Sequence, residues 1–433
     1  MCQIQSELEV DFLEHFLQSK SDLNTFLHRF SSWNLLFILA IALNVVAYLQ
    51  VDIIYVLVFL AGACLTLRNN RSFTLRPFEL NGSAWNILIM IWVAANITGL
   101  FASGSFTNRG WHDTLDLRWI LSFFACVYLG KSVSNIKLLL KLLGGVSTLV
   151  LGASILWYLK HPNVFGRISG FYSNPNDFAL AVLFLWAFFF GWFASALNDL
   201  KSNAWMLAPL AFMTVIIYET YTRGAWLAML VVIAFITLIG KTKRLLTVSA
   251  ISLFGIILIY AFNLFQFKDR ILYSLNITAG NSQALRLMIW KVSVAIFKDF
   301  PTFGVGFTEN RYLFPAYYKN LGFEGQEMLL HSHNMYLQIL NDSGLVGFLA
   351  FCGVLITALT YFYRVFNKSK NVESRSMALA GLAILIAFMT GSLVDCPLLS
   401  TGPRNYLFLL VGLSVGYCLQ HDSEICHKES IIS

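Results

Sequence analysis

"HSHNMYLQILNDSGLVGFLAFCGVLITALTYFYRVFNKSK", residues 331–370, changes character twice. It opens with two histidines, two asparagines and an aspartate, then runs through residues 344–363 without a charged side chain. It closes on Arg364, Lys368 and Lys370. Coiled as a helix, residues 344–363 rise about 30 Å, the thickness of a bilayer's hydrocarbon layer. Basic residues just beyond such a span mark its cytoplasmic end. The stretch therefore reads as an outer polar surface, a membrane crossing and an inner anchor.

The rest of the chain repeats this pattern. Of 433 residues, 57% are hydrophobic and 12% charged, and Phe alone occurs 38 times. An average soluble domain is about 25% charged, so a soluble chain of this composition could not cover its core. The length rule gives about twelve spans, near 33–50, 52–67, 84–102, 118–130, 138–158, 178–198, 205–218, 224–240, 245–265, 344–363, 377–394 and 405–420. The expected fold is an all-α polytopic membrane protein. Residues 1–32 form a cytoplasmic segment, 33–265 the first nine spans, 266–343 a long outer loop, 344–420 the last three spans and 421–433 a cytoplasmic tail. There is no internal repeat. Residues 1–32 lack the basic, apolar, small-residue order of a cleaved signal, so the first span is expected to be retained.

The formal net charge of +7 could suggest nucleic acid, but the basic residues cluster in short loops between spans and read as topology signals. With the N-terminus inside, the inner loops hold 13 Lys and Arg residues, including "KTKR" (241–244) and the 364–375 cluster, against only Glu79, Asp199 and Glu373. The seven cysteines form no CxxC pair and read as small hydrophobes. This orientation places four polar segments on the outer face, which in a bacterium is the periplasm: 159–177, "ETYTR" (219–223), the long loop with "HSHN", and the turn from Asp395 to Arg404.

The long loop has structure of its own. In "SQALRLMIWKVSVAIFKDFP" (282–301), Leu285, Met288, Ile289, Val292 and Ile296 recur at helical spacing and Pro301 ends the run. An aromatic patch follows (Tyr312, Phe314, Tyr317, Tyr318), then a short helix over about 333–341 leading into Asp342-Ser343-Gly344.

Each polar residue on this face has an ordinary explanation. Arg223 is placed to snorkel at a span end, Arg286 to face solvent or headgroups, and Asn176 or Asp177 to cap the next helix. His331 could be structural. Yet arginines at a membrane surface, here Arg223, Arg286 and Arg167, suit phosphate, because guanidinium pairs bidentately with phosphate oxygens. His333, at the start of a short helix, suits a general base at neutral pH. "HSH" alone is a weak metal motif for want of a further ligand. No GxxxxGK[ST] or GxGxxG loop, Asp-x-Asp pair or GxSxG elbow is present. A membrane enzyme without those elements needs a donor already activated and already in the membrane, and a lipid diphosphate is both.

"TRGAW", "ALRLMIW" and "HSHNMYLQILNDSGLVGF", preceded by "GFYSNPNDFA", resemble the O-antigen ligase family over roughly residues 160–400. The resemblance implies a metal-independent, inverting glycosyltransferase of the bacterial inner membrane. Its donor would be a glycan on undecaprenyl diphosphate at the periplasmic face and its acceptor the lipid A core. Nucleic acid is not an expected partner, membrane lipids are, and no cofactor is expected. By position in the motifs, Arg223 and Arg286 would bind diphosphate and His333 would activate the acceptor. Arg167, Asn174, Asn176, His331 and Asn334 would contact substrate. The base could also be His331. A Wzy-type polymerase or a protein O-oligosaccharyltransferase would share this donor site. A secondary transporter is the alternative of another class, but transporters favour paired halves and polar residues deep in their helices, whereas here the ionisable residues gather on one face.

Overall fold

The computed structural model describes residues 83–104, 116–131, 135–163, 166–197, 200–240, 282–323 and 329–422, with a few isolated positions between them. The expected cytoplasmic segment 1–32, the spans at 33–50, 52–67 and 245–265, and nearly all of the tail lie outside the described residues. Among the described residues the chain is helical, without strands. The helices are α1 (Ser83–Ala102), α2 (Ile120–Lys131), α3 (Ile136–Lys160), α4 (Pro175–Ser195), α5 (Leu207–Glu219), α6 (Arg223–Gly240), α7 (Ser282–Asp299), α8 (Asn310–Asn320), α9 (Met335–Lys368), α10 (Val372–Gly391) and α11 (Thr401–His421).

Six of these are long and apolar enough to cross a membrane: α1, α3, α4, α6, α9 and α10. The expected spans at 118–130 and 205–218 appear as the short helices α2 and α5. The last expected span, 405–420, lies within α11, which carries Arg404 and Asn405 in its buried first turn and is not one of the six.

Burial sorts the bundle into centre and rim. The apolar window of α4 is 94% buried and that of α10 is 72% buried, while α1, α3, α6 and α9 bury only 28–39%. A helix apolar all round belongs at the centre of a bundle or against lipid, and this one uses both places. In lipid, helices associate by close packing rather than by exclusion of water. A Cβ on Gly191 of α4 would lie 2.7 Å from Ala380 of α10, and one on Gly416 of α11 only 2.1 Å from the Val127 carbonyl of α2. These glycines let the central helices touch backbone to backbone.

Outside the bundle, Met288, Ile289, Val292 and Ile296 of α7 pack with Val305, Phe314 and Tyr318 in a separate cluster. Against an exposed alternative in water, burial of such a side chain contributes roughly 1.5–3 kcal/mol. The helical spacing expected for 282–301 is observed, and part of the aromatic patch proves to be the buried face of α8.

A kink joins this small cluster to the membrane. At Gly344 (φ 61°, ψ −163°) α9 leaves helical geometry. A straight helix would pair the Leu345 and Val346 N–H groups with the Asn341 and Asp342 carbonyls. Instead Val305 and Gly306 donate to those carbonyls (2.8 and 2.9 Å), and the Pro301 and Thr302 carbonyls accept from Leu345 and Val346 (2.8 and 3.2 Å). The kink thus leaves none of these four groups unsatisfied, and it divides α9 into the expected short helix and the span beginning at 344. A Cβ on Gly344 would meet Thr302 at 2.3 Å, so glycine is required both for the positive φ and for the contact.

Candidate functional site

The polar segments that sequence assigns to one face converge at one end of the bundle. α5 and α6 form a hairpin closed by Thr220, Tyr221 and Thr222, with Tyr221 in left-handed geometry (φ 52°). Tyr218 stacks on Trp226 at 5.2 Å, and the Trp226 indole donates to the Ile217 carbonyl. The hairpin sets Arg223 as the first residue of α6. A cation at the positive end of a helix dipole is unfavourable unless an anion accompanies it.

Arg167, from the loop before α4, is tied to this hairpin. Its Nε donates to the Thr220 carbonyl (2.7 Å), and Nη2 donates to Asn176 Oδ1 (2.8 Å) and Thr222 Oγ1 (2.9 Å). The helix cap differs from expectation. Asn174, not Asn176 or Asp177, is the N-cap of α4, its Oδ1 accepting from the Asn176 N–H (2.9 Å). Pro175 takes the first helical position, which leaves the Asn176 side chain for Arg167.

Arg286 comes from α7, half-buried, and among the described residues makes no hydrogen bond or ion pair. It meets Arg167, Arg223, Asn176 and Asp395 around a cavity of about 130 Å³. Three arginines from three separate segments thus line one void, with a single carboxylate among the described residues of its lining.

Asp395, in the turn after α10, links the cavity to the histidines. Its Oδ1 lies 3.5 Å from His333 Nδ1, within ion-pair range though long for a hydrogen bond, and accepts from the Cys396 N–H (2.9 Å). The side chains of His333 and Asp395 are only 13% and 10% exposed. Burial alone would raise the Asp395 carboxyl, but the adjacent His333 and the Cys396 N–H outweigh it and hold the group below the usual carboxylate range. The His331 ring lies against that of His333, tilted by 45° with ring centroids 3.9 Å apart. Burial, reinforced by the neighbouring imidazole and partly offset by Asp395, lowers its pKa to about 4.

The "HSHN" backbone is clamped. His333 has φ 43°, a costly conformation for a non-glycine residue that surrounding contacts must hold. Asn334 caps α9, its Oδ1 accepting from Tyr336 and Leu337 (3.0 and 3.1 Å) while Nδ2 donates to the Leu393 carbonyl (3.0 Å). The Met335 N–H donates to the Ser392 carbonyl (2.8 Å) and the Tyr336 hydroxyl to the Met389 carbonyl (2.9 Å). The turn is thereby fastened to the end of α10, beside Asp395.

Every residue expected at the site is therefore in this region. Arg167, Asn176, Arg223 and Arg286 line the cavity, His331 and His333 stand at Asp395, and Asn174 and Asn334 cap α4 and α9. Asp395 itself has no assigned role in the sequence reading. The available signal is a lone aspartate just beyond an apolar span on the same membrane side as the arginines. It also alters the metal argument, because "HSH" now has a third possible ligand. One ligand atom from each of His331, His333 and Asp395 falls within 4.8 Å of the others.

Residues 208–352 match the family model Wzy_C, described as O-antigen ligase. The domain occurs in O-antigen ligases and Wzy polymerases, glycosyltransferase-type enzymes acting on lipid-linked glycans in polysaccharide and lipopolysaccharide assembly. The match holds Arg223, Arg286, His331, His333 and Asn334; it begins after α4, which leaves out Arg167, Asn174 and Asn176, and ends before α10, which leaves out Asp395. It is narrower than the resemblance over 160–400. No curated protein matches the chain.

Proposed function

Proceeding from an O-antigen ligase domain that contributes two of the cleft's arginines, we propose that the protein transfers a glycan from undecaprenyl diphosphate to an acceptor hydroxyl, at the periplasmic face of a bacterial inner membrane. The observation that carries this reading is the cavity of Arg167, Arg223 and Arg286 with the His333–Asp395 pair at its edge. Guanidinium groups converging on one void fit a diphosphate, which presents several oxygens and gains charge on leaving.

In the reaction, His333 removes the proton of the acceptor hydroxyl while that oxygen attacks the anomeric carbon. The bond from that carbon to the diphosphate oxygen breaks on the opposite side, its electron pair passing to the diphosphate beside the arginines, and the configuration inverts. Because Nδ1 of His333 faces Asp395, that nitrogen carries the proton of the neutral ring and Nε2 is the basic atom. Asp395 then stabilises the imidazolium as it forms. His331, with its pKa near 4, is too weak a base for this task near neutral pH, which favours His333 of the two. No metal is required in this scheme.

The acceptor we assign is the lipid A core, making the protein an O-antigen ligase. The test is transfer by purified protein from lipid-linked glycan to acceptor lipid, with and without chelator, beside the surface polysaccharide of a deletion strain. A ligase leaves no polymer on lipid A and accumulates lipid-linked polymer. A single repeat on the core would instead indicate a polymerase, and glycan crossing a sealed bilayer unchanged a transporter. Loss of transfer on chelation, restored by zinc, would turn the His331, His333 and Asp395 cluster into a metal centre.

A further inference from the structure

Ser332, between the two histidines, is fully buried and anchors a chain of hydrogen bonds that the mechanism does not use. Ser293 of α7 bonds Ser332 through their hydroxyls (3.0 Å). The Ser332 N–H and hydroxyl both donate to Gln338 Oε1 (3.1 and 3.2 Å). Gln338 Nε2 donates to Asn310 Oδ1 (3.0 Å) and Asp342 Oδ1 (2.9 Å). Asp342 lies two residues before the kink of α9, and its carbonyl takes the Gly306 N–H.

A carboxamide has two donor hydrogens and two acceptor sites, and Gln338 fills all four. Its orientation is fixed, because the Ser332 backbone N–H can only donate and so compels Oε1 to face it. Nε2 must then face Asn310 and Asp342. The amide consequently grips the backbone midway between His331 and His333, at a turn where His333 is held at φ 43°. Leaving any of these buried groups unmatched costs about 1–3 kcal/mol, enough to let the strained turn relax.

We propose that Gln338 is a positioning residue for His333, with its amide locked by Asp342 and Asn310 so that it holds the Ser332 backbone and, through it, the imidazole against Asp395. This rests on the reading of His333 as the base. Small displacements of a reacting group cost on the order of 10²-fold in rate, and that is the expected fall in kcat for Gln338→Met. The donor KM should be unchanged, because the arginine cavity is untouched. Ser332→Ala keeps the backbone N–H bond and should lose only several-fold.

The discriminating variant exchanges the partners, combining Gln338→Glu with Asp342→Asn. The carboxylate introduced at position 338 then accepts from Ser332 on one oxygen and from the amide introduced at position 342 on the other. Every bond to Ser332 is preserved with its direction. Purified full-length protein, assayed for kcat, donor KM and melting temperature, should show a slow Gln338→Met enzyme and a swapped enzyme restored towards wild type. A folded swap variant as slow as Gln338→Met, a Gln338→Met enzyme with wild-type kcat, or a loss appearing only in donor KM overturns the proposal. If His333→Ala still transfers glycan, the base assignment falls and this inference with it. If His333→Ala is inactive and Gln338→Met is not impaired, this inference alone falls.

Discussion

The two ends of the bundle both carry cations and use them in opposite ways. At the end where α9 stops and α10 begins, several charges are matched by close neighbours. Lys137 pairs with Glu373 at 3.3 Å, and Glu373 also accepts from the Tyr417 hydroxyl. The Arg375 Nε donates to the Phe366 carbonyl and its guanidinium lies over the Phe366 ring. Asp422 accepts from Ser369. At the other end Arg167, Arg223 and Arg286 converge on a shared cavity, and two of the backbone segments there hold strained residues, Tyr221 and His333. Charge in a loop is enough to orient a membrane protein, whereas arginines from separate segments lining one void form the arrangement that the proposed diphosphate would need.

Membrane side is the most drastic test of this contrast, because the result is all or none. Asn320→Cys should react with a membrane-impermeant thiol reagent in intact spheroplasts, and Lys370→Cys should not. Labelling of Lys370→Cys alone would invert the topology and exchange the roles of the two ends.

Next in size is the loss at the base. His333→Ala should reduce transfer by about 10²–10⁴-fold, the usual contribution of a general base, and leave donor binding largely intact. His331→Ala should be milder. An active His333→Ala enzyme beside a dead His331→Ala one moves the base two residues upstream, while two active variants remove it from this turn.

Arg223→Lys and Arg286→Lys keep the charge and lose the bidentate fork. Each should lower kcat by roughly 10²-fold, as for other groups stabilising a developing anion, with normal membrane insertion. Arg375→Lys at the opposite end should leave transfer unchanged. Equal behaviour of all three would reduce the cleft arginines to topology anchors.

A smaller effect concerns pH. His331 titrates near 4 in the folded protein against about 6.5 when exposed. Its folded pKa is depressed, so the unfolded state takes up the proton first. The stability it contributes is complete above pH 6.5 and is lost as pH falls from about 6.5 to 4, by up to about 3 kcal/mol. The melting temperature of purified protein should decline across that window, and His331→Phe should flatten the decline. A wild-type melting temperature that stays constant from pH 7 to 5 contradicts this.

Smallest of all is the change expected at the paired end. Lys137→Ala removes an exposed partner of Glu373, and surface pairs of this kind contribute about 1 kcal/mol or less. Transfer should be unaffected and the melting temperature nearly so. Loss of catalysis in this variant would mean that the two ends are coupled, and the contrast drawn between them would fail.

Composition and spacing alone point to an integral membrane protein of helical spans, because an unbroken apolar run of about twenty residues satisfies its own backbone in lipid as a helix. They also determine α7, whose buried face is written at helical spacing, and the polar segments containing the arginines and histidines. The cap of α4 is harder to read, since Asn174, Asn176 and Asp177 are all good cap residues and only the backbone geometry selects Asn174. Tertiary structure decided what no local pattern encodes. Arg167 meets the α5–α6 hairpin across more than fifty positions of chain, and Asp395 reaches His333 from beyond another span. Gln338 in sequence is one polar residue on a helix, yet its four hydrogen bonds join α8, the kink of α9 and the turn between the histidines. Such contacts depend on the direction and distance of side chains brought together by packing, quantities that residue order fixes only once the bundle has folded.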